Sequence, residues 1–105
     1  MISSGRYDVG LAASLASGEA MASNAGGEVV AVFNVDGSFY AISDTCSHAE
    51  ASLSEGDVDG FYVMCPLHGS EFDVRTGEVM NMPATSPVES FHIENEDGNL
   101  IVTIP

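Results

Sequence analysis

The sequence predicts an all-β protein, and three observations carry that reading: short strand-like runs divided by turn signals, two matched hairpin patterns, and no internal repeat or dividing linker. The run 28–34 (EVVAVFN) is rich in β-branched and aromatic residues. Asp36-Gly37 follows it as a strong turn signal, and 38–42 (SFYAI) resumes the strand, so together they read as a hairpin. A second hairpin is predicted from 88–93 and 100–104 around the turn-rich ENEDGN. The short run 61–64 follows Asp59-Gly60 and leads directly into Cys65. Residues 12–25 are rich in alanine, yet Gly18, Ser14, Ser17 and Asn24 favour a loop with a short strand at 19–22. With 105 residues, 1–105 is expected to form one domain, with an excursion at about 44–72.

Charge narrows the function. Sixteen acidic residues face only Arg6 and Arg75, giving a formal net charge of -14. Such a chain repels nucleic acid and anionic lipid, so neither is expected as a partner. A solubilising or salt-adapted surface is one explanation, and a docking surface for basic partners is another. No apolar run approaches the ~20 residues of a membrane-spanning helix. The segment MISSGRYDVGLAASLASG lacks the pattern of a secretory leader, so a reducing, cytoplasmic setting is expected.

The chemistry concentrates in CSHAEASLSEGDVDGFYVMCPLHG, residues 46–69. Cys46-Ser47-His48 and Cys65-Pro66-Leu67-His68 are separated by sixteen residues, 49–64, and hold both cysteines and two of the three histidines. Each pair fits a tight loop folded around a metal. A Cys46–Cys65 disulfide is the simpler rival, but it leaves the histidine spacing without a role. Two metal readings stay open on the residues alone: structural zinc in a tetrahedral site, or a [2Fe–2S] cluster with two thiolates on one iron and two imidazoles on the other. Common zinc fingers separate the cysteine knuckle from the histidine knuckle. Here each loop supplies one of each, which favours the dinuclear reading.

C-x-H, a gap of sixteen and C-P-x-H-G resembles the Rieske signature, within a wider match from about Val29 (VVAVFNVDGSFYAISDTCSH) through Pro87. The segment is similar to the small Rieske-type ferredoxins of bacterial aromatic-ring dioxygenase systems. The resemblance implies a Rieske fold of three antiparallel sheets with a two-loop cluster-binding subdomain, and one [2Fe–2S] cluster. It implies that Cys46 and Cys65 ligate an inner iron, while His48 and His68 ligate an outer one. It further implies a monomeric electron carrier in aromatic hydrocarbon catabolism, with no catalytic residue of its own. Such a carrier takes electrons from a flavin-dependent NAD(P)H ferredoxin reductase and passes them to a terminal oxygenase. A small Rieske subunit of another oxidoreductase, such as a nitrite reductase, and a zinc-stabilised β module are the alternatives.

Departures from the respiratory branch set an expectation for the potential. That branch carries a disulfide between the loops, and the matching positions here are Ala51 and Leu67. Ser70 is kept, but Phe72 stands where a hydrogen-bonding tyrosine would be, and phenylalanine has no donor. Asp44, Glu50, Glu71 and Asp73 lie near the ligands in sequence. A charge ~8 Å away opposes an added electron by about 0.5 kcal/mol at water-like screening and about 2 kcal/mol at an effective dielectric of 20. The expectation is a centre toward the low end of the Rieske range, roughly -150 mV. Gly69 either permits a left-handed turn or is an ordinary loop glycine, and Pro66 fixes the backbone beside Cys65. Leu67 is expected to shield the site, and Pro83 to Pro87 to form a proline-bearing lid. Met64, Met80 and Met82 are expected to pack, and His92 to be structural or exposed.

Overall fold

The structure is a computed structural model that describes residues 3–46, 51–67, 69–81 and 86–105. Ten strands form among them: β1 (Gly5–Leu11), β2 (Ala20–Ala25), β3 (Glu28–Val35), β4 (Ser38–Ser43), β5 (Asp57–Asp59), β6 (Tyr62–Met64), β7 (Glu71–Asp73), β8 (Val79–Asn81), β9 (Ser90–Glu96) and β10 (Asn99–Ile104). They build an antiparallel six-stranded sheet of order β1-β10-β9-β4-β3-β2 and a four-stranded sheet of order β5-β6-β7-β8. The three sheets expected become two by hydrogen bonding. Two three-stranded groups are joined where β4 meets β9, through Ala41↔Phe91 and Ile42↔Ser90. The larger sheet curls nearly into a barrel, and Ser3 N–H donates to the Gly26 carbonyl at 2.8 Å across the closing gap.

β3 explains how the two sheets share one core. Residues Val30 to Val35 are all buried, because the strand is covered on both faces. Val30 and Val32 point into the barrel with Val9, Phe91, Leu100 and Val102. The alternate residues Ala31, Phe33 and Val35 point the other way, toward Val63, Phe72 and Leu53 of the smaller sheet and its loops. The Cα radius of gyration is 12.6 Å. No helix among the described residues is long and apolar enough to cross a membrane.

The β3–β4 hairpin forms as the sequence predicts. Asp36 and Gly37 have φ of 51° and 88°, the paired positive values of the tight turn that matches strand twist. The second hairpin shifts. Asp97 and Gly98, at φ 53° and 91°, make a two-residue turn, so Glu94 to Glu96 pair with β10 instead of lying in a longer loop. At its other end β9 begins at Ser90, because Val88 N–H is bonded to the Gly77 carbonyl at 2.9 Å. β2 runs to Ala25, past the short strand expected, since every residue from Ala20 finds a partner in β3.

Both arginines are engaged within the chain. Arg6 on β1 pairs with Glu96 and lies 3.9 Å from Glu94. His92 is exposed, as expected, and its Nε2 lies 2.6 Å from Glu94 Oε1. Arg75, in the β7–β8 turn, pairs with Asp73 at 2.8 Å.

Candidate metal centre

The first cysteine sits at the neck of a loop leaving β4. Cys46 N–H donates to the Ala51 carbonyl at 3.0 Å, and Leu53 N–H donates to the Asp44 carbonyl at 2.7 Å. Thr45 and Ser52 face each other in an isolated antiparallel bridge between those bonds. The Asp44 carboxylate closes the neck from inside. It accepts from the Ser52 hydroxyl and, at 2.9 Å, from Ser54 N–H. Asp44 is 6% exposed, so these bonds replace water around a buried polar group. Ala51 is buried beside the cysteine, where the respiratory branch has its bridging residue.

The second cysteine directly follows β6. Cys65 N–H donates to the Ser70 carbonyl at 2.7 Å, and Gly69 N–H donates back to the Cys65 carbonyl at 3.1 Å, making a compact loop. Gly69 has φ 77°, and among the described residues a Cβ there would meet no atom within 4 Å. The left-handed turn is thus the feature that calls for glycine among the described residues. Ser70 and Phe72 are fully buried, and Phe72 packs in the core beneath both loops.

Cys46 and Cys65 are 3% and 1% exposed, lie in one core cluster, and are not joined as a disulfide. Two dry thiols held by rigid backbone suit a soft metal centre that needs thiolate ligands. The chain then climbs to the surface within two residues, since Leu67 is 61% exposed. Loop 2 thus runs from a buried sulfur to a solvent-facing tip. His48, His68, Glu50, Pro83 and Met82 lie outside the described residues, and Pro87 is exposed.

The carboxylates differ from the expectation of uncompensated charge. Arg75 holds Asp73 through Nε to Oδ1 at 3.0 Å and Nη2 to Oδ2 at 2.8 Å, and its backbone N–H adds a third bond at 2.9 Å. The Arg75 side-chain bonds keep the Asp73 carboxyl below its ordinary value, and Asp73 in turn raises the guanidinium. Asp73 therefore adds less field at the centre than a lone carboxylate. Sequence distance gave no sign of this, although Asp-x-Arg on one turn is a readable ion-pair spacing. The Arg75 guanidinium also lies 4.0 Å from the centre of the Phe61 ring, which meets Tyr40 edge-on at 6.1 Å. This stack ties the smaller sheet to β4. Met64 and Met80 do not pack as expected. They are 40% and 50% exposed, because both lie outside the inward-facing set of Val63 and Phe72.

Residues 5–92 match the Rieske [2Fe-2S] domain family. The chain is 45% identical over 78 residues to the 3-phenylpropionate/cinnamic acid dioxygenase ferredoxin subunit of Escherichia coli K12, covering 73% of this chain and 74% of that one. It superposes with TM-score 0.92 on the ferredoxin of carbazole 1,9a-dioxygenase from Nocardioides aromaticivorans IC177, at 34% identity over 95% of this chain and 98% of the other. A chain from a complex of reduced oxygenase and oxidized ferredoxin in carbazole 1,9a-dioxygenase matches with TM-score 0.89 and 38% identity, over 93% and 92% of the two. The chain belongs to the Rieske [2Fe-2S] domain family, as a ferredoxin-type member homologous to the ferredoxin subunits of aromatic-ring dioxygenases.

Proposed function

We propose that this chain is the electron-carrier component of an aromatic-ring-hydroxylating dioxygenase system and not itself an enzyme. The observation that carries the reading is the pair of buried cysteines, not joined as a disulfide, at the necks of two loops that share one core. A Rieske [2Fe–2S] cluster, when bound, supplies one-electron redox chemistry at a potential raised by its imidazole ligands. Cys46 and Cys65 are assigned as ligands of the inner iron, and His48 and His68 as ligands of the outer iron. Burial of the two thiols excludes water from the sulfur side. The exposed Leu67 beside His68 supports an imidazole edge at the surface, where a partner can approach.

The role is that of a monomeric cytoplasmic shuttle of one domain, 1–105, with its cluster-binding subdomain at about 44–72. A flavin-dependent ferredoxin reductase is the donor, and a terminal oxygenase is the acceptor. Both meet a surface of net charge -14, which speeds encounter with basic faces. The zinc-module alternative is set aside by family membership, and identities of 34 to 45% to dioxygenase ferredoxins favour this system over a nitrite reductase.

The test is reconstitution. Holoprotein is expected to contain iron and sulfide in equal amounts, to give a rhombic resonance signal after dithionite reduction, and to carry electrons from NADH and a dioxygenase reductase to its oxygenase. Colourless protein with zinc and no acid-labile sulfide, made with intact cluster assembly, would sink the reading.

A further inference from the structure

We propose that Gly56 is a positioning residue that sets the spacing between the two cysteine loops, and so the geometry of the centre they hold. The proposal rests on the ligand assignment above. Loop 1 returns to the smaller sheet through the 3-10 turn Leu53–Glu55, which ends at Gly56. Gly56 has φ -80° and ψ 171°, an extended conformation open to any residue, so its backbone does not call for glycine. Space does. A Cβ at Gly56 would lie 2.0 Å from the Met64 carbonyl oxygen and 3.0 Å from its carbon, well inside the 3.4 Å at which ordinary contact begins. Met64 immediately precedes Cys65. The atom that a side chain would strike is backbone, not the yielding end of a side chain.

The contact matters because both sides of it are stiff. On one side, the return arm is locked to the neck of loop 1. Leu53 N–H is bonded to the Asp44 carbonyl, the Asp44 carboxylate takes Ser52 and Ser54, and Leu53 is fully buried. On the other side, Met64 is paired in β6 with both Asp57 and Glu71. Cys65 is then held through the Ser70 carbonyl. A continuous route therefore runs from Cys46 through its neck, the return arm and the bare Cα of Gly56 to Met64 and Cys65. Widening that one step moves the loops apart, because the contact is with backbone on a paired strand and no flexible side chain lies in the gap to absorb the displacement.

The experiment compares Gly56→Ala with Gly26→Ala. Gly26, in the β2–β3 turn, is also crowded, with a Tyr7 ring atom at 2.4 Å and the Ser3 carbonyl oxygen at 2.7 Å from an added Cβ. Its φ of 62° adds backbone strain, so it reports the cost of a disruptive substitution outside the cysteine loops. Each holoprotein is purified and its iron and sulfide content, reduced resonance spectrum, midpoint potential and Tm are recorded. Gly56→Ala is expected to lose severalfold in cluster content, with shifted and broadened resonance lines and a displaced potential in the loaded fraction. Gly26→Ala is expected to lose Tm and keep the wild-type spectrum and potential. Wild-type content, spectrum and potential in Gly56→Ala would overturn the proposal. Should Gly56→Ala not fold, Ser52→Ala decides, since it loosens the Asp44 neck without adding bulk. Altered lines support the spacer, and unchanged lines and content overturn it. A wild-type protein without the mixed-ligand signal would instead remove the ligand assignment.

Discussion

Arg75 grips the Asp73 carboxylate with both ends of its guanidinium fork, at 3.0 and 2.8 Å, while its flat face rests 4.0 Å from the Phe61 ring centre. One side chain thus neutralises the carboxylate at the end of β7 and ties the smaller sheet to Tyr40 on β4. Arginine suits this place because a planar fork serves both contacts, which lysine cannot.

Arg75→Gln is expected to lower Tm at neutral pH and to make the midpoint potential more negative, because the Asp73 charge is left uncompensated. The pH dependence has a definite sign. Asp73 is held below its ordinary value of 3.8, chiefly by the Arg75 side-chain bonds, so the stabilisation is complete above 3.8 and is lost as pH falls through the lower folded value. Thermal melts across that interval should be steeper for the wild type than for Arg75→Gln. Parallel acid limbs would contradict the pairing as the cause.

Leu53 is fully buried between loop 1 and the core of the smaller sheet. Leu53→Ala should destabilise the fold by about 2–5 kcal/mol through lost burial and the cavity left behind. Against a total of about 5–15 kcal/mol for a domain, urea unfolding should detect this easily. A loss below about 1 kcal/mol would mean that the return arm is not packed as described.

Gly69 isolates a backbone effect, since its φ of 77° comes with no atom of the described residues within 4 Å of an added Cβ. Gly69→Ala should cost about 1–2 kcal/mol for the left-handed conformation alone. The loss should appear as faster release of iron to a chelator, with the barrel unaffected. Equal release rates for the two proteins would argue against a rigid second loop.

Electron delivery should slow as salt is added, because the acidic surface and a basic partner attract over a distance that shrinks to about 8 Å at 0.15 M. Stopped-flow oxidation of the reduced carrier by its oxygenase is expected to fall severalfold from low salt to 0.15 M. A rate that rises with salt would indicate like charges at the interface.

Much of this was readable in the sequence, for reasons that differ by element. Asp36-Gly37 declares its hairpin because few residue pairs tolerate two positive φ values. The cysteine loops announce themselves by chemistry. β1 does not, since Gly5 and Gly10 interrupt it, and it exists through pairing with β10 at the far end of the chain, Gly5↔Ile104 to Leu11↔Asn99. β5, β7 and β8 have three residues each, and Asp57-Val58-Asp59 and Glu71-Phe72-Asp73 resemble turns as much as strands. Their partners across the sheet create them. Close approach at Gly56 has no local signal, because the oxygen it makes room for belongs to Met64, eight residues on.

The chain's two arginines are both committed to its own carboxylates, Arg6 to Glu96 and Arg75 to Asp73. With no lysine and both arginines paired, the net field that a visiting protein meets at a distance is negative. Any basic partner is recruited by the same attraction. Charge alone gives such a carrier no means of telling one basic partner from another, so discrimination between them must rest on the shape and short-range contacts of the docking face.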